Sequence, residues 1–308
     1  MKNTHVLIIG FGSIGHRHYQ VLKKIKTIVS ITVISKRKHK GIKVISELSD
    51  ISDWNTYDYF IIASETYKHK EQLDYLCSKV SRKNILVEKP LFDHDCKVDL
   101  NDNNVFVGYN LRFHPVILAI KNTLKTNKVL SVQINCGQYL PSWRPSQDYS
   151  KSYSASRTKG GGVLRDLSHE LDYLFWLFGS LQDCYYINSK ISDLKINSDD
   201  VFTAIGVTEE KVLVNISIDY LSKSPIRKII VHAQDFSLYA DLIKNKLKKY
   251  DKNGKLTRFN IDPVERDMTY RNMHEEILEG RSKTCTYEEG RNLLSFIDKI
   301  TFKRELNS

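Results

Sequence analysis

Three stretches of this chain carry residue types at spacings that suggest chemistry. Gly10-Phe11-Gly12-Ser13-Ile14-Gly15 follows the apolar run Val6-Leu7-Ile8-Ile9 and opens a helical pattern. In that context Gly10 permits a tight turn, Gly12 lets the backbone approach a pyrophosphate, and Gly15 allows close helix–strand packing. The amides of Ser13 and Ile14 begin a helix whose positive dipole end faces phosphate groups. Glu88-Lys89-Pro90 follows the apolar run Asn84-Ile85-Leu86-Val87, so a lysine stands just past a strand end, where a dinucleotide's reactive ring could lie. An ammonium there is able to polarise a carbonyl or stabilise a developing alkoxide. The third stretch, after Gly160-Gly161-Gly162, carries Asp166, His169 and Asp172. Oxidising an alcohol requires a base for the hydroxyl proton, and histidine titrates near neutrality. Asp166 is read either as the group that orients His169 or as a helix-capping residue. Asp172 is read as a substrate or interdomain contact.

Elements that position these residues are legible from periodicity. Short apolar runs at Val6–Ile9, Ile31–Ile34, Tyr59–Ala63, Ile85–Val87 and Val105–Val107 alternate with helical stretches at Ser13–Lys26 and Lys68–Lys79. Strands separated by helices indicate a doubly wound parallel sheet. The pattern then changes to a helix at Arg112–Thr126, a long strand at Val129–Tyr139, and a polar aromatic loop at Leu140–Lys159. Short alternating segments recur from Asp183 to Phe259, and a helical period closes the chain at Glu288–Lys303. The expected fold is α/β: an N-terminal parallel-sheet domain over 1–111, and a C-terminal α/β domain with an open, mostly antiparallel sheet over 112–308. On a continuous helix, Leu167, Leu171, Leu174, Phe175 and Phe178 form an apolar stripe, with His169, Asp172 and Trp176 opposite.

Composition narrows the classes. A length of 308 residues with 41% hydrophobic content suits two soluble domains with real cores. No run approaches the roughly 18–20 apolar residues that span a bilayer. The N-terminus lacks the apolar core and cleavage site of a signal peptide, so the expected location is the cytoplasm. Five scattered cysteines with no CxxC pair indicate reduced thiols, with neither a disulfide framework nor a metal site. The net charge of +11 is spread along the chain without a nucleic-acid-binding motif. Lysines so spread are ordinarily a solvated surface, and the competing reading is an anionic small molecule steered by the positive field.

The second strand ends Val33-Ile34-Ser35-Lys36-Arg37. NAD-preferring sites place an acidic residue here for the ribose 2′-hydroxyl; a serine and two cations suit a 2′-phosphate instead. NADP is therefore favoured, with NAD as the alternative.

Taken together, Gly10–Gly15, Ala63-Ser64-Glu65-Thr66-x-x-His69, Glu88-Lys89-Pro90, Tyr109-Asn110-x-Arg112-x-His114-Pro115 and Gly160–Asp172 resemble the Gfo/Idh/MocA family over nearly the whole length. The resemblance implies a Rossmann domain, an α/β domain with an open sheet, and NAD(P)-dependent redox chemistry at a sugar or polyol carbon. It implies that Lys89 lies near the nicotinamide and the reacting oxygen, and that Ser64, Thr66, His69 and Glu88 belong to the cofactor end. The family pattern has aspartate four residues before the histidine; here Asp166 precedes His169 by three and Arg165 stands at four. Tyr109, Asn110, Arg112 and His114 are read as substrate contacts at an interdomain cleft, with a hinge as the competing role. Arg144 and Arg157 in the aromatic loop suit bidentate recognition of a carboxylate or phosphate, with an oligomer contact or a plain surface loop as the competing role. The Trp143-Arg144-Pro145 loop and Asp166–Asp172 resemble a branch associated with bacterial surface-polysaccharide and nonulosonic-acid sugars. A homodimer or homotetramer is expected on the same analogy. Two other functions fit the cofactor motif: a glycosidase working by transient oxidation and elimination, and a non-catalytic dinucleotide sensor or partner protein.

Overall fold

The computed structural model describes residues 3–305. It divides into two compact units, the first containing the chain up to Phe113 and Arg266–Asp298, the second His114–Glu265 and the chain from Lys299.

In the first unit, strands β1 (Thr4–Ile9), β2 (Ile28–Ile34), β3 (Lys43–Ile45), β4 (Tyr59–Ile62), β5 (Asn84–Val87) and β6 (Asn104–Val107) form a parallel sheet in the order 3-2-1-4-5-6. Val6, Leu7, Ile8 and all four residues of β4 are fully buried, which is why these strands read as continuous apolar runs. Helices α1 (Ser13–Leu22) and α2 (His69–Lys79) belong to the crossovers that parallel strands require. Order reverses beside β1, so the carboxyl ends of β1, β2, β4 and β5 line one edge of the sheet. Ligands of open α/β sheets bind at such an edge.

The second unit begins with α3 (Pro115–Leu124) and the long strand β7 (Val129–Gly137). Two helices, α4 (Val163–Asp166) and α5 (His169–Phe178), precede β8 (Leu181–Ser189), β9 (Val201–Thr208), β10 (Leu213–Asp219), β11 (Ile226–Ala233), β12 (Phe236–Asp241), β13 (Lys246–Asp251) and β14 (Leu256–Arg258). The sheet runs 14-13-12-11-7-10-9-8, and only the β7–β10 pair is parallel. Its strands alternate: Phe202, Val214, Ile216, Val132 and Ile229 point inward and are buried, while Tyr185, Ile205 and Leu213 remain exposed.

The chain then supplies α6 (Met268–Leu278), β15 (Cys285–Thr286) and α7 (Tyr287–Glu305). β15 pairs antiparallel with β6, and Tyr270, Met273 and Ile277 of α6 join a core containing Val6, Ile8, Tyr19, Leu22 and Tyr59. The expected boundaries at 111 and 112 thus miss the return of Arg266–Asp298 to the first unit. The periodicity of α6 is obscured because Thr269, His274 and Glu276 are buried among its apolar positions. Among the described residues, no helix is long and apolar enough to cross a membrane.

Candidate functional site

Each glycine of the first motif has its own reason. Gly10 has φ +91°, and a Cβ there would stand 2.7 Å from Ser64 Cα. A Cβ on Gly15 would stand 2.1 Å from the Gly10 carbonyl oxygen, so helix and turn touch through it. Gly12 is different: a Cβ would meet no protein atom within 4 Å. The protein does not need glycine there, whereas a pyrophosphate approaching the backbone would. Gly12 N-caps α1 without a side-chain cap bond, and the first turn, with Ser13 and Ile14, carries no acid. That end fits an anion.

The Gly10 amide donates to Ile34 O at 3.3 Å, so the glycine turn lies beside the end of β2. Ser35 is half-buried, and its Oγ accepts the Arg37 amide at 3.2 Å. Lys36, Arg37, Lys38 and Lys40 are exposed. His39, which the motif reading passed over, packs edge-on against Phe11 at 4.7 Å and places Nε2 3.3 Å from Ser35 Oγ. The set is cationic and rich in donors, as a phosphomonoester would require.

After β4, Ser64 donates to Gln72 Oε1 at 2.6 Å and Thr66 begins a short 3₁₀ turn. His69 is only 1% exposed. Its Nδ1 faces the Pro90 and Leu91 carbonyl oxygens at 3.2 and 3.1 Å, and Nε2 faces Ser64 O at 3.2 Å. Burial holds its pKa below the ordinary range. A ring so enclosed ties the loop after β4 to the loop after β5.

After β5, Glu88 is buried and Lys89 is half-buried. The Lys89 amide donates to Glu88 Oε2 at 3.1 Å, the other carboxylate oxygen lies 2.9 Å from His18 Nε2, and the Lys89–Pro90 peptide is cis. Gly108 makes room for this carboxylate, since a Cβ there would stand 2.8 Å from Glu88 Oε1.

The segment expected to contact substrate is mostly internal. Tyr109 is buried, Asn110 donates to Thr269 Oγ1 at 2.7 Å, and buried Arg112 pairs with Glu289 at 3.0 Å. These bonds hold the returning segment to the residues after β6. His114 N-caps α3 by accepting the Val116 amide at 3.2 Å. Burial, then the Arg227 charge, push its pKa down to about 4.

In the second unit, Gly162 has φ +127° and leaves room for Asp199, whose carboxylate accepts the Leu164 amide at 3.0 Å. The helix expected to run on from the glycines is two helices, broken at Leu167–Ser168. Asp166 closes α4 and accepts the Tyr220 hydroxyl at 2.5 Å; Trp143 packs edge-on against Tyr220 at 5.3 Å. His169 opens α5 and is half-buried, so the pair does not share one continuous helix face. Asp172, expected opposite the apolar stripe, is buried. So is Glu170, which pairs with Arg227 at 2.8 Å and accepts the Tyr173 hydroxyl at 3.3 Å. This pairing neutralises a carboxylate inside the unit and lets α5 be polar and buried together. Arg144 and Arg157 are exposed, and the Arg157 amide donates to Asn197 Oδ1 at 2.9 Å.

Comparison with known proteins agrees with both units. Residues 4–98 match the model of the oxidoreductase family with an NAD-binding Rossmann fold, and residues 125–238 match the GFO/IDH/MocA C-terminal domain. An uncharacterised oxidoreductase of Streptococcus pneumoniae serotype 4 is 29% identical over 150 residues, covering 46% of this chain and 40% of that protein. The chain thus matches less than half the length of that relative. Among solved structures, UDP-N-acetylglucosamine 3-dehydrogenase GnnA from Acidithiobacillus ferrooxidans superposes with TM-score 0.77 at 16% identity, covering 97% of each chain. Levoglucosan dehydrogenase in complex with NADH and levoglucosan superposes with TM-score 0.84 at 16% identity, covering 100% of this chain and 98% of that one. An Agrobacterium radiobacter oxidoreductase in complex with NAD+, L-tartaric acid and magnesium gives TM-score 0.82 at 14% identity, over 96% and 95%. With one family's models matching both halves, the chain belongs to the GFO/IDH/MocA oxidoreductases.

Proposed function

We propose that the protein is an NADP-preferring oxidoreductase acting at the CH–OH or ketone carbon of a sugar, one that is acidic or nucleotide-activated. The observation that carries this reading is the alignment of Gly10–Gly15, Ser35–Arg37, Ser64 and Glu88–Lys89 along one carboxyl edge of neighbouring parallel strands. The glycine turn and the amides at the start of α1 hold the pyrophosphate. Ser35, Lys36 and Arg37 hold a 2′-phosphate, with Lys38 and Lys40 adding charge. A bound nicotinamide supplies the hydride acceptor or donor.

The remaining roles belong to side chains. Lys89 stabilises negative charge on the reacting oxygen, and His169 takes the hydroxyl proton in oxidation and returns it in reduction. Asp166, held by Tyr220, supports the start of α5. Exposed Arg144 and Arg157 suit a carboxylate or phosphate on the sugar. Proteins of like fold that act on sugars, levoglucosan dehydrogenase and the UDP-N-acetylglucosamine 3-dehydrogenase, support a sugar substrate. Exposed apolar residues on the outward sheet face, Tyr185, Ile187, Ile205 and Leu213, support self-association.

Nicotinamide absorbance with free, acidic and nucleotide-linked sugars tests the reading. Net turnover is expected, with kcat/KM at least about tenfold higher for NADP than for NAD, as about 1.4 kcal/mol from the 2′-phosphate would give. Equal efficiency with NAD would overturn the cofactor preference. Glycoside cleavage with no net change in absorbance would replace the redox reading by oxidation and elimination.

A further inference from the structure

Behind Glu88 lies a file of polar groups that the reaction does not use. His18 on α1 places Nε2 2.9 Å from Glu88 Oε1 and Nδ1 2.9 Å from His274 Nε2. His274 on α6 places Nδ1 2.9 Å from the Tyr59 hydroxyl on β4. Tyr59, His18 and His274 are wholly buried and Glu88 is 7% exposed. Three elements distant in sequence therefore meet in one unbranched row that ends at the residue before Lys89.

Hydrogen-bond direction along this row can be worked out from its end. A carboxylate only accepts, so Glu88 takes the Lys89 amide on one oxygen and the His18 Nε2 proton on the other. A neutral His18 then accepts at Nδ1, so His274 donates from Nε2 and accepts the Tyr59 phenol at Nδ1. Every polar atom in the row is used, and the only net charge is the carboxylate. With the carboxylate ionised, the reverse arrangement needs a buried imidazolium at His18, and in any protonation state it turns the Tyr59 hydroxyl proton away from the row. Burial holds His274 neutral, its pKa lying well below the ordinary value. Burial, with the Glu88 charge, holds Tyr59 in its phenol form.

We propose that Tyr59, His274 and His18 form a one-way hydrogen-bond chain that fixes the Glu88 carboxylate and, through the Lys89 amide, positions Lys89. The three are positioning residues, and their link to activity rests on the role given to Lys89 above. Tyr270 packs edge-on against His18 at 5.4 Å, with Arg17 4.3 Å over the Tyr270 ring, so the file is walled as well as bonded. Glutamine at position 88 could not replace the carboxylate: its single acceptor oxygen would face one of two donors, and its amide would clash with the other.

The test uses the full chain labelled with ¹⁵N, and reads histidine tautomers from long-range proton–nitrogen spectra. At pH 7, His18 and His274 are both expected to be neutral and protonated on Nε2. An Nδ1-protonated or charged ring at either position would overturn the chain. Tyr59→Phe removes only the terminal donor, and Gly108→Ala crowds the carboxylate at the other end. Both are expected to shift the Lys89 amide resonance, and two unmoved resonances would overturn the coupling. Tyr59→Phe is also expected to lower kcat about 3- to 10-fold with little change in KM, the scale of one hydrogen bond. An unchanged kcat alongside a shifted amide would overturn the positioning role. A wild type that transfers no hydride to any sugar would overturn the reaction reading and the positioning role with it. The tautomers, read without substrate, would still decide whether the chain exists.

Discussion

Lys89 is the residue on which the proposed chemistry turns, because a single ammonium beyond β5 is asked to stabilise charge that exists only while the reaction proceeds. Removing such a donor costs about 10²–10³ in kcat. Lys89→Ala is therefore expected to keep its fold and cofactor affinity while losing turnover by that factor; full turnover would remove Lys89 from the site. Ser35→Asp combined with Arg37→Ala is expected to reverse the ratio of kcat/KM for NADP over NAD, since an acidic group repels a 2′-phosphate and binds a 2′-hydroxyl. A ratio that does not move would place the discrimination elsewhere. The strand ends that carry Ser35 and Lys89 are legible in the sequence because each closes an apolar run. Glu170–Arg227 and His18–His274 are not, because their partners are brought together only by folding. The same holds for Asp166, whose hydroxyl partner Tyr220 lies on a distant segment.

At the scale of elements, the last two glycines of the turn separate cofactor binding from stability. Gly12→Ala adds a methyl where no protein atom lies within 4 Å, so thermal stability without cofactor should hold while dinucleotide affinity falls at least about tenfold. Gly15→Ala drives a methyl to within 2.1 Å of a backbone oxygen and should destabilise the first unit by about 1–3 kcal/mol or more. Equal effects on stability would refute this division of labour. Strands were read well because buried parallel strands are unbroken apolar runs and the second sheet alternates cleanly. Helices were read less well wherever buried polar groups interrupt the period. Thus periodicity runs α4 and α5 together across Leu167–Ser168, and α6 has no clear apolar period because His274 and Glu276 are inside.

For the molecule as a whole, buried neutral histidines set the response to acid. His69, His114 and His274 all have folded pKa values below the ordinary 6.5, with burial the leading cause in each. Below about pH 6.5 the unfolded chain therefore binds protons that the folded chain refuses, and stability falls as pH descends. The loss is up to about 1.4 kcal/mol per pH unit for each such group, continuing for His114 to about pH 4. Asp199 acts in the opposite sense, since burial raises its carboxyl pKa and the folded state takes up that proton first. Three imidazoles against one carboxyl leave a net loss, so the urea midpoint is expected to be lower at pH 5 than at pH 7; an equal or higher midpoint would contradict the burial argument. Association through the outward sheet face predicts that Tyr185→Lys with Ile205→Lys gives a smaller species by sedimentation, and an unchanged mass would exclude that face.

The return of Arg266–Asp298 to the first unit bears on how the protein is made. Val6, Ile8 and Tyr59 leave the ribosome early, yet the Met273 and Ile277 side chains that complete their core emerge only after the whole intervening segment. At about 5–20 residues per second, that delay is on the order of ten seconds or more. The nascent nucleotide-binding sheet spends that interval with one flank of its core uncovered, and a chain released before α6 carries the glycine motif without the packing that holds it in shape.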